Sequence, residues 1–204
     1  MVTLRPYGRR AVLLEVGSAA QVPGLHARVH ALDLPGVLDV VPAARTVLVT
    51  FADPRALALA RPALAEVTAE VTDRPTGGAV VTVDVTYDGP DLAAVAADTG
   101  LTVAEVIARH TAPAYTVGFI GFAPGFAYLI GLDPVLHVPR HASPRTRVPA
   151  GSVGIAGEFT GVYPRASPGG WQLLGRTNAA LWDLARERPA LLEPGVAVRF
   201  REVR

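Results

Sequence analysis

The feature that most constrains this chain is the density of glycine and proline between residues 115 and 177. Of the 20 glycines, 11 lie between Gly118 and Gly175. Glycine permits positive φ angles and close backbone approach, and proline fixes the chain at turns. Helices and strands of a protein core do not ordinarily contain so many glycines and prolines. It predicts short strands joined by tight turns, which is typical of an all-β barrel or sandwich.

The first 75 or so residues of the chain show strand signals and helix signals in alternation. Pro62 should end or kink the second predicted helix. The order β-α-β-β-α-β predicts a small α+β domain with its helices on one face of a sheet. The predicted strands are 11–16, 37–41, 46–51 and 69–71, and the predicted helices are 22–34 and 56–66.

The segment 73–78, DRPTGG, has the composition of a linker. It predicts a small α/β N-terminal domain over residues 1–76 and a mainly β domain over residues 77–204. Residues 80–87, VVTVDVTY, alternate with period two and predict a strand. Further elements are predicted as helices at 91–98 and 102–110, the second opened by a Thr102–Glu105 capping box, and a closing strand at 196–200.

Composition excludes several classes of function. Half of the residues are hydrophobic and 18% are charged, which indicates a globular protein. The chain has no cysteine and no lysine, which excludes disulfides, thiolate chemistry, Schiff bases and the P-loop lysine of many nucleotide sites. The net charge of +1, spread over scattered arginines, gives little support to nucleic-acid binding. No apolar run is long enough to span a bilayer and the N-terminus lacks a leader pattern, so we expect no membrane association and a cytoplasmic location.

Arginine dominates the charge of the glycine-rich stretch. Five arginines lie there against only two acids, Asp133 and Glu158. The planar guanidinium group suits carboxylate and phosphate. Because few local acids are available to pair with these arginines, we favour an anion site over the alternative of solvated loop charges. The predicted anion-binding arginines are Arg140, Arg145 and Arg176.

Glycine amides and hydroxyl groups are further candidates for this site. Successive free amides in the segment 148–157, VPAGSVGIAG, could form an anion-binding nest. No strand-turn-helix unit surrounds the segment, so it does not predict a dinucleotide site. The predicted ligands from these groups are Gly151, Ser152, Thr160 and Tyr163.

Two proline-glycine turns are expected to shape the pocket. The first, at residues 123–126, has Pro then Gly in its central positions, which favours a type II turn. The second is at residues 168–171; either turn could instead be purely structural. The histidines lack carboxylate partners at metal-ligand spacing, so no metal site is predicted, and no residue stands out as a nucleophile or general base. The predicted pocket-shaping residues are Phe122, Pro124, Gly125, Phe126, Pro168, Gly169, Gly170 and Trp171.

Several long motifs carry a resemblance to a known family. They are YDGPDL at 87–92, LTVAEVIARHT at 101–111, YTVGFIGFAPGFAYLIGL at 115–132, and PRHASPRTRVPAGSVGIAG at 139–157, followed by TGVYP, SPGGW and GRT. The chain resembles the family that includes the B subunit of 5-oxoprolinase (PxpB), the sporulation kinase inhibitor KipI and allophanate hydrolase subunit 1. The resemblance covers nearly the whole chain and is weaker over the N-terminal third.

The resemblance implies a cyclophilin-like β-barrel after the N-terminal domain. It also implies a partner, the C subunit of 5-oxoprolinase, also known as allophanate hydrolase subunit 2 (KipA-like), and a third component, the A subunit. Together these proteins use ATP to open 5-oxoproline to glutamate. ATP would bind at an interface between subunits or on the partner. The alternatives are a KipI-like module that inhibits a sensor histidine kinase, and a subunit that acts on a urea-like or allophanate-like substrate.

The chain departs from the family pattern at three positions. Arg9 follows Gly8 where relatives usually have aspartate. Phe159 precedes Thr160-Gly161 where relatives usually have glutamine, and Asn178 replaces a proline after Gly-Arg-Thr. The change at Phe159 removes an amide beside the expected pocket, so it is the departure with the clearest consequence for substrate choice.

Overall fold

A computed structural model describes residues 2–69 and 80–204 of the chain. The protein divides into two compact units, Met1–Arg74 and Pro75–Arg204. The predicted linker, the predicted boundary between residues 76 and 77, and most of the predicted strand 69–71 fall outside the described residues and stay predictions.

Among its described residues, the N-terminal unit is a four-stranded antiparallel sheet with two α-helices. Its sheet order is β1-β2-β4-β3, and each neighbouring pair is antiparallel. The sequence pattern does not predict the first strand, whereas the next three strands and both helices match their predicted positions closely. The elements are β1 (Thr3–Pro6), β2 (Ala11–Glu15), α1 (Val22–Ala31), β3 (Val37–Pro42), β4 (Thr46–Phe51) and α2 (Pro54–Ala65).

Alternating burial in the central strands explains how this unit packs. Val47, Val49 and Phe51 of β4 are buried, whereas the residues between them in the strand are only partly buried. This alternation places one face of the sheet in the core. Both helices contribute to the same apolar cluster. Pro62 does not end the second helix. Helix α2 continues to Ala65, and the proline lies in its last turn.

The C-terminal unit contains two helices and nine strands among its described residues. The Thr102–Glu105 capping box is present at the start of α4, with backbone and side-chain bonds in both directions. The elements are β5 (Val80–Val85), α3 (Leu92–Thr99), α4 (Val103–Thr111), β6 (Tyr115–Ile120), β7 (Ala127–Ile130), β8 (Arg145–Val148), β9 (Ser152–Ala156), β10 (Phe159–Val162), β11 (Ser167–Gly169), β12 (Gln172–Arg176) and β13 (Ala197–Glu202).

Seven of these strands form a nearly closed, barrel-like sheet. The order is β12-β9-β10-β7-β6-β13-β5, with only β13 and β5 parallel. The two edge strands meet where Thr86 and Arg176 exchange backbone hydrogen bonds of 2.9 Å. Strands β8 and β11 form a separate two-stranded ribbon. The mixed α/β class and the barrel-like sheet agree with the predicted class, and the finer cyclophilin-like assignment stays a prediction.

The two faces of the barrel sheet carry different clusters. The interior is mainly aliphatic, with Tyr115 and Phe200 among its buried residues, and it includes buried residues of α3 and α4. The outer face of β7, β9, β10 and β12 carries a second cluster, rich in aromatic side chains. Along β10, Phe159 belongs to the outer cluster and Val162 to the interior. Among the described residues, no helix has the length and apolarity needed to cross a membrane.

Candidate anion-binding site

The first predicted turn shapes one end of the outer aromatic cluster. The Phe126 N–H donates to the Ala123 carbonyl at 2.9 Å, and Gly125 has φ +80°, as a type II turn requires. Just before it, Phe122 has φ +66°, an unusual conformation for an aromatic residue. Its side chain is 60% exposed, whereas Phe126 is buried. The turn therefore holds one ring in the cluster and presents another at the surface.

Interlocked rings make the aromatic cluster rigid. Tyr128 stacks on Phe119 with ring centroids 4.3 Å apart. The same ring meets Phe159 and Trp171 edge to face, at 5.7 and 5.5 Å. A Cβ at Gly161 would lie 2.8 Å from the Ala127 carbonyl oxygen and 3.2 Å from the indole ring, so the glycine leaves room for both the neighbouring strand and Trp171. Each ring is thus held from several sides, and the cluster forms a preformed wall.

A cavity of about 410 Å³ opens along this wall. Its rings come from Tyr128, Phe159 and Trp171, and its charged groups are Arg140 and Glu158. Burial raises the pKa of the Tyr128 phenol, and the nearby Arg140 guanidinium opposes that rise. A mainly apolar cavity with a few polar groups is the usual form of a small-molecule site. We call it the Arg140 cavity.

Hydrogen bonds hold the backbone on both sides of Arg140, whose own side chain is exposed. The Pro139 carbonyl accepts from the Gln172 amide at 3.2 Å, and the His141 N–H donates to the Gly170 carbonyl at 2.7 Å. A Cβ at Gly170 would lie 3.6 Å from the Arg140 Nε, so the side chain runs along bare backbone. No ion pair engages Arg140 within residues 2–69 and 80–204. Its charge is therefore available to a ligand.

Arg145 has a different environment from the one that the sequence suggests. Its Nη2 lies 2.6 Å from Asp91 Oδ1, and its Nη1 donates to the Trp171 carbonyl at 3.4 Å. Acids near Arg145 in the sequence are scarce, as noted above, but its partner comes from 54 residues earlier in the chain. An arginine held this way supports the site without offering a free charge to a ligand.

Arg176 lies at a separate place from Arg140. It lines another cavity, of about 650 Å³, with Thr82, Asp84 and Thr86 of the β5 segment. Its Nε donates to Asp88 at 2.7 Å, and the side chain is largely exposed. The structure thus does not bring the three predicted arginines together around one cavity.

The amides of the predicted glycine nest already have acceptors. Gly151 N–H donates to the Tyr163 carbonyl at 2.7 Å, and Gly157 N–H donates to the Val138 carbonyl at 2.8 Å. Ser152 is buried, and its N–H points to the Pro149 carbonyl at 3.4 Å. The segment therefore does not provide the free donors that a nest requires.

Thr160 lies in the barrel interior. Its hydroxyl donates to the Gly154 carbonyl at 3.1 Å and lies 2.8 Å from His110 Nε2. The other nitrogen of His110 lies 2.6 Å from the Tyr87 hydroxyl. Since the Thr160 proton is committed to Gly154, Nε2–H of His110 donates to Thr160 and Tyr87 donates to Nδ1. Complete burial lowers the pKa of His110 to about 3, so the ring is neutral.

The second predicted turn, at residues 168–171, is replaced by a strand. Pro168 and Gly169 belong to β11, which pairs with β8. A Cβ at Gly169 would overlap the Tyr163 ring, which explains the glycine at this position. Burial raises the pKa of the Tyr163 phenol, and a hydrogen bond with the Trp171 backbone opposes that rise. Tyr163 and Trp171 therefore belong to the aromatic wall, whereas Pro168 and Gly169 support it.

Comparisons with known proteins agree with this architecture. Residues 2–192 match the family described as "Carboxyltransferase domain, subdomain C and D". The chain belongs to this family. Over 201 residues it is 43% identical to the B subunit of 5-oxoprolinase from Escherichia coli O157:H7, covering 95% of this chain and 92% of that protein. The predicted resemblance to the family that includes this 5-oxoprolinase component is confirmed.

Solved structures of relatives share the fold. TTHA0988 superposes with a TM-score of 0.78 at 39% identity, over 96% of this chain but only 40% of that one. The Kluyveromyces lactis urea amidolyase superposes with a TM-score of 0.72 at 22% identity, over 99% of this chain and 15% of that one. This carboxyltransferase-domain protein thus corresponds to part of each of these longer chains.

Sequence reasoning misses two residues at or near the Arg140 cavity, Asp91 and Tyr128, and one in the barrel interior, His110. Asp91 reads as an isolated acid, Tyr128 does not stand out, and His110 is visible only as part of a helix. The period-two rule applied to β10 would have placed Thr160 on the opposite face from Phe159. No group of three or more His, Asp or Glu side chains in the described residues has an arrangement that could hold a metal ion.

Proposed function

We propose that this protein is a subunit of a heteromeric ATP-dependent amidohydrolase, a 5-oxoprolinase that opens 5-oxoproline to glutamate. The observation that carries the proposal is the Arg140 cavity, in which a guanidinium without an acid partner among the described residues lines the same cavity as an aromatic wall. The name of the E. coli relative, which matches over 92% of its length, supports both the reaction and the existence of other subunits.

The substrate that we propose matches the chemistry of the cavity. 5-Oxoproline carries a carboxylate on a compact five-membered lactam ring. The carboxylate would pair with Arg140, which offers a planar pair of donors. The ring would pack against Tyr128, Phe159 and Trp171, since apolar surface removed from water stabilises binding. The lactam N–H would face a carboxylate such as Glu158 at the edge of the same cavity.

Hydrolysis of the lactam requires a co-substrate that drives it. In the proposed reaction the amide oxygen takes the γ-phosphoryl group of ATP and releases ADP, which makes the ring carbon electrophilic. One water adds to that carbon as the ring C–N bond breaks and the nitrogen is protonated. A second water replaces the phosphoryl group and releases phosphate. We propose that this chain holds the substrate, and that the C and A subunits supply the nucleotide site and the proton-transfer groups.

The test is turnover by the assembled complex. The chain is co-purified with the proteins encoded beside it, and 5-oxoproline-dependent release of ADP and glutamate is measured. Loss of a charge-assisted contact should lower kcat/KM of Arg140→Gln by roughly 10- to 100-fold, mainly through KM. Arg176→Gln is the matched control, because it removes an arginine that lines the other cavity and pairs with Asp88.

Two outcomes would count against the proposal. If a stable complex forms but releases no ADP or glutamate, the substrate is wrong. If Arg140→Gln and Arg176→Gln lower kcat/KM equally, the Arg140 cavity is not the substrate site.

A further inference from the structure

Asp91 connects three segments around the Arg140 cavity. Its side chain is buried at the start of α3. One oxygen accepts from the Leu173 N–H at 2.7 Å, and the other accepts from Arg145 at 2.6 Å. His141 Nε2, itself buried, lies 3.2 Å from the first oxygen. A single carboxylate thus contacts β12, β8 and the loop that precedes β8.

The loop between Pro139 and Arg145 is the one that carries Arg140. Asp91 holds it through the Arg145 side chain, and the buried Nε2 of His141 lies 3.2 Å from the same carboxylate without a hydrogen bond to it. Arg145 also donates to the carbonyl of Trp171, a residue of the cavity wall. The cation and the aromatic wall are therefore positioned by the same buried carboxylate.

Electrostatics keep this carboxylate in its charged form. Burial pushes the pKa of Asp91 upward, but the Leu173 amide and the Arg145 guanidinium outweigh burial and hold the pKa below its usual value. Because both oxygens are engaged by donors, Asp91 has no oxygen left to act as a base towards a substrate. Its contacts suit it to holding neighbouring groups in place.

We infer that Asp91 is a positioning residue. It fixes the loop at residues 139–145 against the start of β12, so that the Arg140 guanidinium faces the cavity. The effect on substrate rests on the proposed function, whereas the effect on the loop does not. Asp91→Asn keeps the shape of the side chain and an acceptor oxygen, and removes the charge that pairs with Arg145.

The first readout is hydrogen exchange of the full chain followed by mass spectrometry. The Leu173 amide donates to Asp91, and the His141 amide donates to Gly170. In Asp91→Asn we expect peptides covering residues 139–145 and 171–174 to exchange at least about tenfold faster. Asp88→Asn is the matched control, because Asp88 pairs with exposed Arg176 and should leave these peptides unchanged. Unchanged exchange in Asp91→Asn would overturn the inference.

The second readout is a double-mutant cycle on kcat/KM of the assembled complex. If Asp91 acts through Arg140, Asp91→Asn lowers kcat/KM roughly tenfold in the native background and less than twofold in Arg140→Gln. Equal losses in both backgrounds would show a general structural role and overturn the inference. If Asp91→Asn does not fold, Arg145→Gln removes the same connection from a partly exposed position. A complex without 5-oxoproline turnover would refute the proposed function alone, and the exchange readout would still decide this inference.

Discussion

The buried histidine at position 110 makes the stability of the C-terminal unit depend on pH. In the folded protein the ring is completely buried, accepts from Tyr87 and donates to Thr160. Burial lowers the pKa of His110 to about 3, against about 6.5 in an unfolded chain. Below pH 6.5 the unfolded state therefore binds a proton that the folded state does not. Stability contributed by the neutral ring is complete above pH 6.5 and is lost as the pH falls.

The size of this loss follows from the difference in protonation. Each pH unit between the two pKa values costs about 1.4 kcal/mol for one proton. Between pH 7 and pH 5, only the range below pH 6.5 contributes, which is about 1.5 pH units. The free energy of unfolding should therefore fall by about 2 kcal/mol. The result does not depend on the exact folded pKa, because any value below about 4 leaves the folded histidine neutral at pH 5.

The assay is urea unfolding at pH 7 and pH 5, followed by tryptophan fluorescence. Trp171 and Trp182 are the only tryptophans, and both lie in the C-terminal unit, so the signal reports that unit. His110→Gln keeps a donor for Thr160 and cannot be protonated. The variant should be less stable at pH 7 because of imperfect packing. Between pH 7 and pH 5 the native chain should lose about 2 kcal/mol more than the variant. Equal losses would show that burial of His110 does not cause the pH dependence, since carboxylate titrations are common to both proteins.

Two further predictions concern local structure. Gly151→Ala should lower the free energy of unfolding by about 3 kcal/mol, because Gly151 has φ +78° and a Cβ there would overlap the Thr177 carbonyl oxygen. Gly157→Ala, also at positive φ but with open space around it, should cost only about 1 kcal/mol, and equal costs in chemical denaturation would reject the steric argument. Thr102→Ala should cost about 1 kcal/mol by removing the capping box with Glu105, and an unchanged denaturation midpoint would show that the cap contributes nothing.

Local patterns in the sequence are sufficient to predict most of the elements. The alternation in VVTVDVTY predicts β5, and the Thr102–Glu105 spacing predicts the start of α4, because both signals act within a few residues. The turn at Ala123–Phe126 is predictable for the same reason. By contrast, β1 has only four residues and little alternation to distinguish it.

The site can be predicted only in part, since it depends on contacts between distant residues. The sequence names Arg140 together with Arg145 and Arg176 as candidate anion-binding cations, and within the described residues only the first of these has no ion pair. Arg145 has the same local signature, but Asp91 reaches it from 54 residues away. A single sequence carries no signal for that pairing. The local sequence does not show that the Gly151 amide has an acceptor. That acceptor is the Tyr163 carbonyl, which becomes apparent only once β9 is paired with β10 and β12.

In the proposed function, Arg140 binds the carboxylate of the substrate. Calorimetric titration of the assembled complex tests this contact with 5-oxoproline and with 2-pyrrolidinone, which has the same lactam ring without the carboxylate. The native complex should bind 5-oxoproline at least about tenfold more tightly, and Arg140→Gln should abolish that preference while leaving 2-pyrrolidinone affinity unchanged. A preference for 5-oxoproline that survives in Arg140→Gln, or equal affinity for both lactams in the native complex, would contradict the claim.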